Sequence, residues 1–439
     1  MSGRLINRLA AVCAVLSGMA ITTFAQTLGT DNGFSPYSVY GIGELHSPGT
    51  AHNQTLGGTG IASRNNRYVN ILNPAAITAR DTLTAMFDVG LGGKLSIYTQ
   101  GDSRSMGKVL NISDLVMSFP IYKNSAFMVG LVPFSDVGYD LTETDLSSSG
   151  SGNIAYTGLR TYSAAGNGGT YQLLVGAGAT FFDRLSVGAQ YIYYFGGLSR
   201  ESSVAFANTS FQGMYVGDTL QVRGHSAKFG LQYEQPLGGK LKLTAGATYR
   251  LKAKVGGNSV NYTYGSISTS VQGLSRSESE LEGVYFGDEI GVGLNLGSGD
   301  KWSLEVDYTR SDWSGSGFDS YAGLSARGAS VFSSAVAQSF RGGFEITPNR
   351  NDIRYYMNKC TYRIGGYFDQ SYYRVDGKSV NTAAITLGMT LPVFRWSNGI
   401  TIGIEAGSRG FGTPVKEYFG AFTIGFNLYD VWFLKSMYE

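Results

Sequence analysis

From Asp81 onward the apolar positions of this chain recur at every second residue, the period of a strand with two different faces. In Leu185 to Phe195 one face carries Leu185, Val187, Ala189, Tyr191, Tyr193 and Phe195, and the other Ser186, Gly188 and Gln190. Trp302, Leu304, Val306 and Tyr308 alternate with Ser303, Glu305, Asp307 and Thr309, and Ile400, Ile402 and Ile404 with Thr401, Gly403 and Glu405. Leu241, Leu243, Ala245, Ala247 and Tyr249 alternate with Lys242, Thr244, Gly246, Thr248 and Arg250. A wall that is apolar on one side, and charged or small on the other, predicts an all-β transmembrane antiparallel barrel with lipid outside and water inside.

Counting such runs gives about 14 strands, an even number as in bacterial single-chain barrels. They are expected near 82–99, 110–122, 125–139, 170–182, 184–199, 219–234, 240–255, 282–297, 301–313, 334–347, 358–373, 380–392, 398–408 and 416–428. Connections after even-numbered strands are mostly tight: Lys123-Asn124, Asp183, Gln235 to Gly239, Ser298 to Asp300. Those after odd-numbered strands include four long Ser/Gly-rich segments, 140–169, 200–218, 256–281 and 314–333. Long loops on one rim and short turns on the other are the asymmetry of outer-membrane barrels. One segment breaks the rule, Pro348 to Met357, long but on the short-turn rim.

Ahead of the alternating region, Gln54 to Thr78 (QTLGGTGIASRNNRYVNILNPAAIT) has neither strand nor helix periodicity. Gly57, Gly58 and Gly60 permit positive φ and close backbone approach, while Pro74 removes a donor and pushes Asn73 out of helical conformation. Such a compact, kinked piece reads as a hatch enclosed by the barrel. The expected organisation is a signal peptide at 1–25, an N-terminal plug at 26–80, the barrel at 81–428 and a tail at 429–439. The leader is read from Arg4 and Arg8, the apolar run Leu9 to Ile21 and the small-residue site Thr23-Phe24-Ala25. After its removal only Cys360 remains, so no intramolecular disulfide is available.

Composition agrees with a membrane barrel: charged residues are 15%, against roughly 25% in ordinary soluble chains, with 62 Gly and 29 Tyr. A net charge of +2 is too small to argue for nucleic acid and no Lys/Arg run suggests it, so no nucleic-acid partner is expected. Of the three histidines, His225 reads as a girdle residue whose neighbour Ser226 faces the other way, so no catalytic constellation forms around it. His46 and His52 lack Cys or Glu at ligand spacing and read as solvated loop residues rather than a metal site. Gly57 to Gly60 is not a phosphate loop, since no Gly-Lys-Ser/Thr follows. No enzyme activity, cofactor or metal is expected. Inward charges such as Glu305, Asp307, Arg363 and Glu405 are expected to hold the hatch.

Pro133 lies inside the third strand, FMVGLVPFSDVGYD, where it cannot donate to the ladder. Two readings are open: a bulge near the rim, or an inward kink, aided by Gly138, that opens the wall.

LGGTGIA followed by Asn73-Pro74-Ala75 just before the first strand resembles the hatch of the FadL/TodX-type outer-membrane transporters of hydrophobic compounds. The stretch from Gly166 to Gly197 and the end from Ser397 to Lys435 are similar to the branch of that family found in Gram-negative anaerobes. The resemblance implies a monomeric fourteen-stranded barrel in a Gram-negative outer membrane, taking up long-chain fatty acids or other hydrophobic small molecules passively. It further implies ligand contact at Gly57, Gly58, Gly60, Asn73, Pro74, Ala75 and Ala76, and a lateral opening at Pro133, Phe134 and Gly138. The partners implied are outer-membrane lipid and a hydrophobic solute. The chain departs from the family in its tail after the last strand, from Tyr429 to Glu439. Some relatives serve instead as accessory or shuttle components of a protein-secretion or surface-assembly machine, with a protein partner and no small-molecule transport.

Overall fold

A computed structural model describes residues 34–81, 84–145, 160–208, 210–267, 270–299, 301–319, 326–327, 330–393 and 399–431. The expected leader, and the tail from Trp432 on, lie outside these residues. One antiparallel sheet closes on itself through fourteen staves. These are β1 (Thr84–Gln100), β2 (Ser103–Tyr122), β3 (Ser125–Asp145), β4 (Arg160–Phe181), β5 (Leu185–Phe206) and β6 (Gly213–Gly238). β7 runs in three pieces (Leu241–Arg250, Ala253–Gly256, Asn258–Ile267), and β8 returns beside it in three (Ser270–Glu280, Val284–Phe286, Asp288–Ser298). There follow β9 (Trp302–Asp312), β10 (Ser330–Ser334 and Val336–Ile346), β11 (Thr361–Val375), β12 (Lys378–Pro392), β13 (Gly399–Arg409) and β14 (Lys416–Val431). β14 pairs with β1 from Thr84↔Val431 to Thr99↔Lys416, which removes the free edges of the sheet.

The period of two decides the two faces. On β5, Val187, Ala189 and Tyr191 are exposed while Ser186, Gln190, Ile192 and Tyr194 are buried. On β9, Leu304 and Val306 face outward, and Glu305 and Asp307 are buried. Ile290, Val292, Leu294, Ile385, Ile402 and Ile404 extend the apolar exterior around the wall. An apolar belt this continuous is stable only in hydrocarbon, where closed sheets leave no backbone group unpaired.

Several expected loops are strand. β4, β5 and β6 are 22, 22 and 26 residues long, about twice the 9–11 that span the hydrocarbon, so they continue well past the apolar belt. The segment expected as a loop at 256–281 is largely a ribbon, in which Asn258↔Glu280 begins the ladder and residues 273–280 are exposed on both faces. These extensions are Ser-, Asn- and Gly-rich. They alternate without an apolar face, and hydrophobic periodicity therefore misses them.

Under the long-connection rim the interior is aromatic. Trp313 and Phe318, from the β9–β10 connection, are buried against Phe286 and Tyr372, with Tyr194, Phe332 and Tyr373 around them.

Candidate functional site

The segment Phe34–Asp81 packs against the inward faces of the staves. It forms a 3-10 turn Pro36–Val39, a two-residue strand Glu44–Leu45, a single helical turn α1 (Ala51–Thr55) and a second 3-10 turn Pro74–Thr78. Inward-facing glycines make room for it. A Cβ on Gly188 would lie 2.3 Å from the Pro74 carbonyl, and one on Gly246 2.3 Å from that of Ile61. Across the lumen, Gly343 and Gly365 admit Leu56 and Gly57, and Gly388 and Gly403 admit Thr55.

The predicted hatch residues separate into two groups. Gly57, at φ 73°, donates its N–H to Thr386 Oγ1 at 2.9 Å and accepts from Arg341 Nη1 at 3.2 Å, on the β10–β12 side. Gly58, at φ 77°, donates to the Asn53 carbonyl at 2.7 Å and borders the larger cavity. The N–H groups of Gly60 and Ile61 both donate to Asp307 Oδ2, at 2.7 and 2.9 Å. Asn73 sits on the β4–β6 side. Its Nδ2 donates to the carbonyls of Ile61 at 2.7 Å and Leu231 at 3.2 Å, while its Oδ1 accepts from Ala75 N and caps the turn opened by Pro74. Asn73, Pro74, Ala75 and Ala76 are buried against the glycines of β4, β5 and β6, and none of the four borders the larger cavity.

That cavity, about 450 Å³, lies between the hatch and the aromatic cluster. On the β2–β5 side it is lined by Val109, Val132, Phe134, Leu174 and Ile192, with Asp136 and two glutamines among them, and Ile61, Leu72, Trp313, Tyr372 and Phe422 add apolar surface elsewhere. Arg341, Asp369, Glu405 and Arg409 line the β10–β13 side.

At the third strand the wall is interrupted. β2 and β3 pair from Tyr122↔Ser125 up to Leu115↔Leu131 and stop there, two residues short of Pro133. Above that level, among the staves, β2 remains paired only to β1 and β3 only to β4. Both strands are irregular at this height: β1–β2 shifts register around Ser113, and β3–β4 around Phe134. Pro133 thus sits at a bulge that coincides with the end of the β2–β3 ladder. Pro133 and Phe134 border the cavity, as do Val109 and Asn111 on the β2 edge. Gly138 lies further along β3 and exchanges hydrogen bonds with Ser38 and Ser35.

The N-terminal segment takes the ladder place that β2 leaves. Glu44 and Leu45 pair with Asp136 and Ser135, and His46 N donates to the Phe134 carbonyl at 3.0 Å. Side chains pin this short strand from two walls. Glu44 Oε1 lies 2.9 Å from Lys94 Nζ and 2.6 Å from Arg409 Nη2, and both cations also meet Glu417. Burial pushes the Glu44 carboxyl up, but Arg409 and Lys94 outweigh it and hold it below the ordinary carboxylate range. His46 contacts Asp136; burial pulls the imidazole down, and the carboxylate beside it raises it above its ordinary value.

The two N-terminal histidines therefore depart from the expected solvated loop residues. His52 is 5% exposed and stacks on Tyr68, with ring centroids 3.3 Å apart; burial, then Arg363, pushes it well below its ordinary value. His225 does sit on the outer face, between Tyr191 and Tyr193. Lys94, Asp136, Arg409 and Glu417 were not singled out from the pattern. Period two puts Lys94 on the inner face with Ser96, which marks a buried charge, but its partner Glu44 lies in a segment without periodicity.

A model of the BamG family matches residues 5–439. The chain belongs to the BamG family. No curated protein matches its sequence. Among solved structures it is similar to a Pseudomonas aeruginosa FadL homologue (12% identity, TM-score 0.59, 89% of this chain and 100% of that one). It is similar also to the Pseudomonas putida toluene transporter TodX (13%, 0.58, 90% and 100%) and the Ralstonia pickettii toluene transporter TbuX (14%, 0.55, 87% and 98%). At such identities the shared feature is the fold. The expected resemblance thus holds for the FadL-type barrel, while the family is BamG.

Proposed function

We propose that this BamG-family barrel is a channel of a Gram-negative outer membrane for passive uptake of hydrophobic small molecules such as fatty acids. The solute leaves sideways between β2 and β3. The observation that carries this reading is the end of the β2–β3 ladder at Leu115↔Leu131, with the lumenal cavity bordered by both strands where they part. Each CH₂ buried is worth about 0.8 kcal/mol, so a hydrophobic solute gains by passing into the bilayer and loses by entering water. A cavity that mixes apolar and charged side chains suits a molecule with one polar end. The fold neighbours described as toluene transporters are consistent with a hydrophobic cargo. The hatch closes the direct axial path, and the strand Glu44–Leu45 stands in the side path. Transport on this reading requires that short strand to leave β3.

Leu45 and Ser135 are opposed Cα partners, a separation a disulfide can span. A Leu45→Cys/Ser135→Cys pair in a Cys360→Ser background is expected to cut uptake of radiolabelled oleate by roughly tenfold when oxidised and to restore it on reduction. Normal uptake by the oxidised form would refute the side route.

A second reading, an accessory component of a protein-secretion or surface-assembly machine, is favoured by the polar sheet that β4–β8 carry beyond the belt. Purification from membranes in mild detergent separates the two. A stoichiometric large partner supports the second reading, and lipid retained in the lumen supports the first.

A further inference from the structure

The cations that line the larger cavity differ in how they are neutralised. Lys94 and Arg409 share two carboxylates, Glu44 and Glu417, and Arg341 meets Asp369. Lys228 and Arg250 have less. Lys228 Nζ lies 3.2 Å from Glu289 Oε1 and Arg250 Nη2 lies 3.4 Å from Glu289 Oε2, so two cations divide one carboxylate. Asp307, the next acid on that side, stands two inward positions along β9 from Ser311 and accepts from Gly60 and Ile61.

Strand register sets this group in one row. Lys228 is opposite Arg250, Arg250 opposite Glu289 and Glu289 opposite Ser311, so β6, β7, β8 and β9 each contribute one inward side chain at the same level of the lumen. Trp313 follows two residues after Ser311 and lines the same cavity. Arg250 and Ser311 are each 8% exposed and Trp313 1%, yet Arg250 Nε, Ser311 Oγ and Trp313 Nε1 have no hydrogen-bond partner among the described residues. Buried donors are nearly always paired, so surplus donors beside a surplus cation mark a place for an acceptor that the chain does not itself provide.

An apolar track leads from this row to the gap. Ile192, Leu174 and Val132 line the cavity on β5, β4 and β3, with Ile192 opposite Leu174. β7 and β3 are separated by four strand spacings of about 4.8 Å, roughly 19 Å along the curved wall. That is the scale of a long acyl chain and well beyond that of a single aromatic ring.

We propose that Lys228 and Arg250, with the donors of Ser311 and Trp313 beside them, form an end-group site, and that the cargo is an anionic amphiphile. Its carboxylate is held at β6–β9 and its tail lies along β5–β3. Glu289 neutralises the two cations in this structure, and a bound carboxylate takes one of them over. The inference rests on the channel reading above and narrows its cargo, because a neutral hydrocarbon offers these cations nothing.

The test is binding of tritiated oleate and tritiated methyl oleate to the full chain in non-ionic detergent, two ligands with the same tail and different heads. Oleate is expected to bind about tenfold or more tightly than the ester, and Lys228→Gln or Arg250→Gln to bring the two within about twofold of each other. Glu289→Gln, which releases both cations, is expected to tighten oleate about threefold or more and to leave the ester unchanged, a gain that misfolding cannot produce. Equal binding of oleate and ester by the parent, or a ratio indifferent to Glu289→Gln, overturns the end-group site and leaves the channel reading standing, since the cavity still takes a neutral solute. Binding of neither ligand overturns both.

Discussion

At the scale of single residues, Asp307 is the clearest tie between wall and hatch, because one carboxylate oxygen accepts two successive backbone N–H groups, those of Gly60 and Ile61. Hydrogen bonds to a charged group contribute about 1.5–3 kcal/mol each, and deleting the acceptor leaves two buried donors unpaired. Asp307→Ala should therefore loosen the hatch by a few kcal/mol while leaving the ladder intact, and Asp307→Asn, which keeps an acceptor oxygen, should do so less. Planar-bilayer recording checks this: transient openings are expected in the Ala variant, fewer in Asn, and a record like that of the parent would remove Asp307 from the account. His46 gives the gap strand a pH dependence. Its pKa is raised by Asp136 against the effect of burial, so its contribution is complete below the free value of 6.5 and is lost as pH rises through the raised one. His52 works in the other sense: its pKa is depressed, so its contribution is complete above 6.5 and fades as pH falls below it. Backbone hydrogen exchange over residues 44–46, corrected for its intrinsic pH dependence, should rise from neutral to alkaline pH, and His46→Gln should abolish that step. A step that survives in His46→Gln would assign it elsewhere.

At the scale of elements, the barrel and hatch are fitted through missing side chains. Gly188→Ala would bring a Cβ within 2.3 Å of the Pro74 backbone, whereas on the same strand a Cβ at Gly197 meets nothing closer than 3.9 Å. Overpacking of this kind costs about 1–3 kcal/mol, and because a wall strand is held by ladders on both sides, the hatch is the part that yields. Gly188→Ala is expected to keep heat-modifiable mobility but expose residues 54–78 to protease in detergent, and Gly197→Ala to do neither. Protection equal to the parent in both would show that the turn at Pro74 relaxes freely. The same glycines mark what could be read in advance. Alternation at Leu185–Phe195 and Trp302–Thr309 was legible because lipid and lumen impose opposite demands on successive residues. The polar strand extensions, such as Asn258–Glu280, carry no such contrast and read as loop. The segment ahead of the first stave was legible as a compact Gly- and Pro-punctuated piece, but which wall glycine received which of its residues was not, since those contacts join positions more than a hundred residues apart. Glu44 and its partners Lys94, Arg409 and Glu417 were hidden for the same reason.

For the whole molecule, closure and plugging are in tension with passage. The fourteen staves close into one sheet, the segment 34–81 contacts inward-facing residues of β4–β14, and the aromatic cluster of Trp313, Phe318 and Tyr372 fills the interior toward the other rim. The stretch where β2 and β3 part is the one break in the ladder among the described staves, and a strand of the chain's own N-terminal segment fills it. For the transport proposed above, that arrangement would make the side wall the route of least disruption: two backbone pairings and a set of side-chain ion pairs would be released, against dismantling a segment packed into glycine recesses. The direct measurement is photocrosslinking of a diazirine-bearing fatty acid to the protein in vesicles, with peptide mapping of the adducts. The account predicts adducts on inward residues of Gly107–Ser113 and Val132–Asp136, suppressed when Leu45→Cys/Ser135→Cys is oxidised. Adducts confined to the outer belt and indifferent to that lock would contradict it.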